Sequence, residues 1–99
     1  MYERKILLGF IRVHILHHAK VDNGIYGLEM IEELASHGYS ISPGTLYPIL
    51  HDMQKNDLLE SKQENVDGKI RKIYTVTDKG KETLESLKRF IQELSEEVI

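Results

Sequence analysis

The first helix of this chain is apolar on too many sides for one face to bury it. Between Arg4 and Lys20 lie Ile6, Leu7, Leu8, Phe10, Ile11, Val13, Ile15, Leu16 and Ala19. At about 100° per residue these cover well over half of the helical wheel. A chain of 99 residues has room for one modest domain. Such a helix must therefore meet its own core on one side and another body on the other, and a second copy of the chain is the expected body.

The rest of the chain divides at clear punctuation. Val21-Asp22-Asn23-Gly24 is a turn cluster that stops the first helix. A second helix is expected over Tyr26–Ser36, with Leu28, Ile31, Leu34 and Ala35 as its buried stripe and His37-Gly38 closing it. Ser42-Pro43-Gly44-Thr45 is the clearest helix start: Ser42 can cap, and Pro43 occupies the first helical position, where a missing N–H is harmless. Leu46, Ile49, Leu50 and Met53 stripe this third helix, and Pro48 should bend or tighten its first turns. Two strands follow, Leu58–Gln63 and Ile70–Thr77, joined through Asn65-Val66-Asp67-Gly68 into a hairpin.

The last helix starts at Thr77-Asp78, with Gly80 an early weak point. Leu84, Leu87, Ile91, Leu94 and Val98 are spaced 3-4-3-4, a heptad seam with Phe90 beside it. A helix near 20 residues spans about 30 Å, more than so small a core can cover, so dimerisation is expected. The order helix, helix, helix, strand, turn, strand, helix is that of a winged helix-turn-helix. The expected fold class is α+β, mostly α, with a two-stranded wing and a long C-terminal dimerisation helix. Residues 1–80 would form the winged domain and residues 81–99 the dimerisation helix, within one compact unit.

Composition narrows the function. The chain has no cysteine, which excludes disulfide frameworks, thiol nucleophiles and cysteine-ligated zinc. No apolar run approaches the 18 or so residues of a membrane span. The opening Met1-Tyr2-Glu3-Arg4-Lys5 resembles the charged front of a signal peptide, but Arg12, His14, His17 and His18 break the apolar run behind it. A cytoplasmic protein with no membrane partner is expected. Net charge is −3, which argues against indiscriminate binding to nucleic acid, yet residues 62–81 carry six basic and three acidic groups. Carboxylates abound on exposed helical faces without a pocket or an orienting partner, so no catalytic residue, cofactor or enzyme activity is assigned.

The run Ser42-Pro43-Gly44-Thr45-Leu46-Tyr47-Pro48-Ile49-Leu50, then Leu58-Leu59, then Gly68 to Gly80 resembles the PadR family of transcriptional regulators in order and spacing. Tyr26-Gly27-Leu28-Glu29-Met30 matches that family's glycine-containing entry to the second helix. The short C-terminal helix resembles its compact subfamily, a winged-helix domain plus one dimerisation helix. The resemblance implies a homodimeric DNA-binding repressor, released by a small molecule or stress signal, whose third helix enters the major groove. Ser42, Gly44, Thr45 and Tyr47 would contact double-stranded DNA from that helix, whose positive end favours phosphate. Lys62, Lys69, Arg71 and Lys72 flank the hairpin turn and would reach the backbone or a minor groove. Leu7, Phe10, Ile11, Leu84, Leu87, Phe90, Ile91, Leu94 and Val98 would form the dimer interface. A small-molecule effector would sit between the first helix of one chain and the last of the other, where Phe10, Phe90 or Tyr2 could stack on it.

Three features pull elsewhere. His51 and Asp52 stand where the family commonly has basic residues, and Asp52 on a groove-facing side would repel phosphate unless it accepted from a cytosine amino group or capped an arginine. With the acidic total, this supports an alternative: a winged helix that binds protein. Asp57 replaces the glycine that usually ends the third helix, a matter of stability alone. His14 and His18 sit four residues apart on one helix, a spacing that can grip zinc or nickel, with His17 adjacent. No third ligand announces itself, and His51 or a partner's carboxylate would have to complete the set, so no metal is assigned. Brought together by two-fold symmetry, these histidines would equally make a dimer's stability depend on pH.

Overall fold

The computed structural model describes residues 2–99. In chain order it comprises α1 (Tyr2–Val21), β1 (Ile25–Tyr26), α2 (Gly27–Ser36), α3 (Pro43–Lys55), β2 (Leu59–Val66), β3 (Lys69–Val76) and α4 (Asp78–Val98). The expected order of helices and hairpin is all present. No helix among the described residues is long and apolar enough to cross a membrane.

Local chemistry sets most of the boundaries. Asn23 and Gly24 both have positive φ, 54° and 116°, which breaks α1 and reverses the chain. Just beyond, Ile25 and Tyr26 pair antiparallel with Tyr74 and Ile73, so the sheet has three strands in the order β1-β3-β2. The two-stranded wing is thus extended by a strand the sequence did not reveal. Two residues are too few to show an alternation, and their partners lie far along the chain. Because Ile25 and Tyr26 are extended, α2 begins at Gly27, and the Glu29 carboxylate accepts the Tyr26 N–H at 3.0 Å.

That start rotates α2 from its expected setting. Gly27, Met30 and Leu34 face the core, whereas Leu28 and Ala35 are exposed and Ile31 is half-buried. α3 begins at Pro43, as expected, but the Ser42 hydroxyl does not cap it. Ser42 Oγ instead lies 3.4 Å from Thr45 Oγ1, while the Ser42 carbonyl accepts from the Thr45 and Leu46 N–H groups at 3.0 and 2.9 Å. Pro48 does not interrupt the helix. It only denies the Gly44 carbonyl its i+4 donor, on an exposed first turn where water can replace it. Asp57 takes the left-handed conformation at φ 62°, and the Leu58 N–H closes the helix end onto the Met53 carbonyl at 2.9 Å.

The hairpin turns at Asp67 and Gly68, with φ of 52° and 81°, the paired positive values that two-residue hairpin loops favour. The Asn65 side-chain oxygen accepts the Gly68 N–H at 3.1 Å. At the far end of β3, Thr77 caps α4 by accepting the Gly80 N–H at 2.9 Å. Gly80 is not a weak point. It is buried, and a Cβ there would run into the Leu58 carbonyl and the Val76 side chain. The absent side chain lets α4 approach the backbone between α3 and β2.

One core joins these elements: Ile15 and Leu16 of α1, Met30 and Leu34 of α2, Leu46 and Leu50 of α3, Leu59 and Tyr74 of the sheet, and Leu84 of α4. Fully burying each such aliphatic side chain contributes about 1.5–3 kcal/mol. Ion pairs add little beside this. Glu85 meets Lys88 at 3.0 Å and Lys20 at 3.5 Å, and the Lys88 contact chiefly holds its carboxyl below the usual range, but the group is open to water. After Leu87, every residue of α4 is exposed, so the helix leaves the domain it starts in.

Two expectations follow from this packing. Gly80→Ala should lower stability by about 1–3 kcal/mol despite alanine's better helix propensity, because the obstacle is backbone, and a chemical denaturation midpoint reads it directly. Burial, then His37, His18 and His17, push the His14 pKa below 6.5 against a smaller upward pull from Glu33. The unfolded chain then binds more protons, so this stability is full above pH 6.5 and is lost as pH falls below it. In metal-free buffer the melting temperature should drop between about pH 7.5 and 5.5, above the carboxylate range, and His14→Gln should flatten that slope.

Candidate nucleic-acid interface

The N-terminus of α3, the start of α2 and the wing converge on one cleft of about 270 Å³. Its walls are Tyr26, Gly27 and Leu28 from the β1–α2 junction, Tyr47 from α3, and Ile70, Arg71 and Lys72 from β3. Three of the eight expected DNA-contacting residues, Tyr47, Arg71 and Lys72, are therefore brought together. Ser42 and Gly44 are exposed on the first turn of α3 and Thr45 is half-buried there. The Gly44 N–H has no backbone partner among the described residues, which leaves a donor at the positive end of the helix. A Cβ at Gly44 would meet nothing closer than Ser42 Oγ at 3.7 Å, so the protomer itself does not require glycine there.

Tyr47 is both a packing residue and an accessible one. Its ring lies against Gly27, where a Cβ would collide with it, yet the residue remains 45% exposed. Behind it, burial chiefly and Tyr47 secondarily push the Tyr74 phenol pKa up. The Tyr47 hydroxyl is a donor suited to a phosphate oxygen or a base edge, whereas Tyr74 is buried in the core.

Strand register sorts the basic residues of the wing. Lys62 faces Ile73 and Glu64 faces Arg71 across the ladder, so Lys62, Lys69 and Arg71 share one side with Glu60 and Glu64. Lys72 lies on the other side with Tyr74 and Ile70. The Arg71 guanidinium stands 5.7 Å from the centre of the Tyr26 ring, within cation–π reach. Desolvation, then Glu64 and Glu29, push the Tyr26 pKa up against the opposing pull of Arg71, which keeps its hydroxyl a donor. Tyr26, Leu28 and Ile70 were not among the expected DNA contacts. Leu28 read as core and Ile70 as an ordinary strand residue, and Tyr26 reaches Arg71 only through the β1–β3 pairing.

Asp52 does not face this cleft. It lies five residues beyond Tyr47, about 140° around the helix, and borders a different depression with Arg12 of α1 and Lys79 and Thr83 of α4. Its side chain accepts from Asn56 Nδ2 at 3.3 Å, and its carbonyl accepts from the same amide at 2.8 Å. The carboxylate that would repel phosphate thus serves the end of α3. His51 is exposed one residue earlier.

The residues expected at a dimer interface divide in two. Ile11 and Leu84 are 4% and 2% exposed inside the protomer's own core. They have almost no surface left for a partner. Leu7 and Leu87 are half-buried, and Phe10, Phe90, Ile91, Leu94 and Val98 are exposed. Between α1 and α4 runs an apolar groove of about 520 Å³, walled by Phe10 and Val13 on one side and Ile91, Leu94 and Val98 on the other.

Residues 15–86 match the model of the transcriptional regulator PadR-like family. The chain belongs to that family. It is 46% identical over 89 residues to the transcriptional regulator Rv3488 of Mycobacterium tuberculosis, covering 90% of this chain and 82% of that protein. A PadR-like transcriptional regulator from Bacillus cereus superposes with a TM-score of 0.86 at 35% identity, over 95% of this chain and 92% of that one. A PadR family transcriptional regulator from Eggerthella lenta superposes at 0.84 with 28% identity, over 98% and 85%. The chain is thus a PadR-like transcriptional regulator with the winged-helix fold of its relatives. The PadR-like match covers the cleft and all its walls, and ends in the first turns of α4.

Gly27 and Gly80 give opposite expectations, since the atoms that would meet a new Cβ differ. At Gly27 they are the free end of the Tyr47 side chain, not backbone. Gly27→Ala should leave the denaturation midpoint within about 1 kcal/mol, while the ring resonances of Tyr47 and Tyr74 shift as Tyr47 leaves the cleft.

Proposed function

We propose that the protein is a homodimeric, sequence-specific DNA-binding repressor, in which each α3 enters a major groove and each wing follows the adjoining backbone. The observation that carries this reading is the cleft in which Tyr47, Arg71 and Lys72 open beside the free amide end of α3. Phosphates would be held by the Gly44 N–H, the hydroxyls of Ser42 and Thr45, and the cations Lys62, Lys69, Arg71 and Lys72. Tyr47, carried on the helix that would enter the groove, would test a base edge with its hydroxyl.

Two-fold pairing through α4 suits the exposed seam. Ile91 and Leu94 are 46% and 51% exposed, and a second copy would remove both from water. Half-sites would then lie about 34–36 Å apart, or a multiple of that. Residues 1–80 act as the reading head in this scheme and 81–99 as the dimerisation helix. The groove between α1 and α4 would hold a small apolar effector whose binding alters the pairing, so that the repressor is released.

One feature favours the other reading, a winged helix that binds protein: Leu28 and Ile70 put exposed apolar surface in the same cleft. Fluorescence anisotropy separates the two, with a duplex from upstream of the protein's own gene titrated at two salt concentrations beside a scrambled duplex. Tight, salt-sensitive binding with preference for the upstream duplex is expected. Absence of binding even at low salt would sink the DNA reading and leave the protein-binding one.

Substitutions sharpen the expectation. Arg71→Ala should weaken binding to both duplexes and reduce the slope of log affinity against log salt by about 1, as for one lost phosphate contact. Tyr47→Ala should instead cut the preference for the upstream duplex. Ile91→Asp with Leu94→Asp should yield a folded monomer by sedimentation; these positions are chosen because Leu87 also packs on the protomer's core. A double variant that remains dimeric would place the interface elsewhere.

A further inference from the structure

The fold supplies the third histidine that the sequence could not point to. His14 and His18 lie one turn apart on α1, with rings stacked 6.1 Å apart and nearly parallel. His37 ends α2, and its ring lies 4.8 Å from that of His14 and 5.8 Å from that of His18. The left-handed Gly38, at φ 91°, then turns the chain so that Tyr39 stands edge-on to His14 at 5.0 Å. A ligand nitrogen from each of the three histidines lies within 4.8 Å of the other two. The Glu33 carboxylate completes the group: its Oε1 is 3.5 Å from His18 Nε2 and 3.3 Å from His37 Nε2.

His18 shows what the arrangement lacks. Its side chain is 11% exposed, and its Nε2 is sealed from solvent without a hydrogen-bond partner among the described residues. Glu33 stands beyond the usual reach of a hydrogen bond, about 2.7–3.2 Å. On the far side of the ring, Asp22 Oδ2 lies 3.6 Å from Nδ1. That carboxylate favours a proton on Nδ1, which leaves the Nε2 lone pair directed into the cluster. A carboxylate behind a histidine whose other nitrogen is free is the supporting arrangement common around metal ions.

We propose that His14, His18, His37 and Glu33 form a binding site for a divalent transition metal of the zinc class. Three imidazoles and one carboxylate, without thiolate, suit zinc, cobalt or nickel and not copper(I) or magnesium. Tetrahedral zinc with bonds of about 2.0–2.1 Å separates its ligand atoms by roughly 3.3 Å. The two contacts made by Glu33 already have that length, and the histidine nitrogens need only draw together from 4.8 Å or less. An ion there would use the orphaned Nε2, and it would clamp the end of α2 to the middle of α1. His17 adjoins His18 edge-on at 5.0 Å but is not one of the three converging histidines, and His51 is not among them.

The test reads metal and not DNA, so its outcome is independent of the proposed operator binding. Full-length protein stripped with chelator is titrated with cobalt(II), and the visible bands of the tetrahedral ion are followed until zinc(II) displaces it. A single equivalent per chain is expected. His37→Asn and Glu33→Gln change surface-accessible ligands and avoid the folding defect that replacing the nearly buried His18 would bring. Each should weaken zinc binding by about 10-fold or more, and His51→Asn should leave it unchanged. Zinc at 100-fold above the wild-type Kd should raise the wild-type melting temperature by about 10 °C or more, and that of His37→Asn by an amount about 5 °C smaller, or smaller still, at the same concentration. An octahedral cobalt spectrum, equal affinity in wild type and His37→Asn, or an equal loss in His51→Asn would each overturn the site.

Discussion

Strand β3 is the constraint on which the remaining structure hangs. It is the central strand, paired with β2 along its whole length and with β1 at Tyr74 and Ile73. Its inner end puts Tyr74 into the core, and its outer end carries Arg71 and Lys72 into the cleft. One rigid strand therefore ties the position of the wing to the packing of the helices. The β1 pairing matters most here, because it fixes the entry to α2 and so sets Gly27 against the Tyr47 ring. Without that short strand, the start of α2, the tip of α3 and the wing would have no common reference.

Two glycines show how close approach divides structure from function. Gly80 is required by backbone, since α4 and the chain at Leu58 come together too closely for any side chain. Gly27 is required only by where Tyr47 lies. A change at the first acts on folding free energy, whereas a change at the second acts on the shape of a surface. Position in a helix does not distinguish the two cases, and helix propensity would call both glycines faults. The neighbouring atoms decide.

Legibility followed the range of the interaction. The Ser42-Pro43 start, the Asp-Gly hairpin turn and the 3-4-3-4 seam are local patterns, and the structure contains the elements they announce. Misreadings arose where a distant partner decides. Leu28 looked like core because its spacing fits an apolar stripe, yet the β1 pairing starts α2 at Gly27 and turns Leu28 outward. Ile11 and Leu84 looked available to a partner because both continue apolar runs, yet both are buried in the protomer's own core. Asp52 looked like an obstacle in the groove until the phase of α3 placed it beside α4. The basic residues of the wing were legible as a local excess of charge, but only the register shows that Lys72 stands apart from Lys62, Lys69 and Arg71.

The histidines belong to the same argument. His14 and His18 are a local pair, visible at a spacing of four, whereas His37 joins them only because α2 packs against α1 and stops at that point. Their surroundings make the cluster hard to explain as ordinary packing. Three imidazoles, brought together by burial and stacking, repel one another once protonated, and of the two carboxylates within ion-pair distance Asp22 meets only His18 while Glu33 is shared between His18 and His37. A packed aliphatic seam would join α1 to α2 without that penalty. His14 also lines the apolar groove between α1 and α4. A metal ion bound to it would therefore sit on the wall of the surface through which the proposed dimer forms, and occupancy there would bear on the spacing of two reading heads without touching DNA.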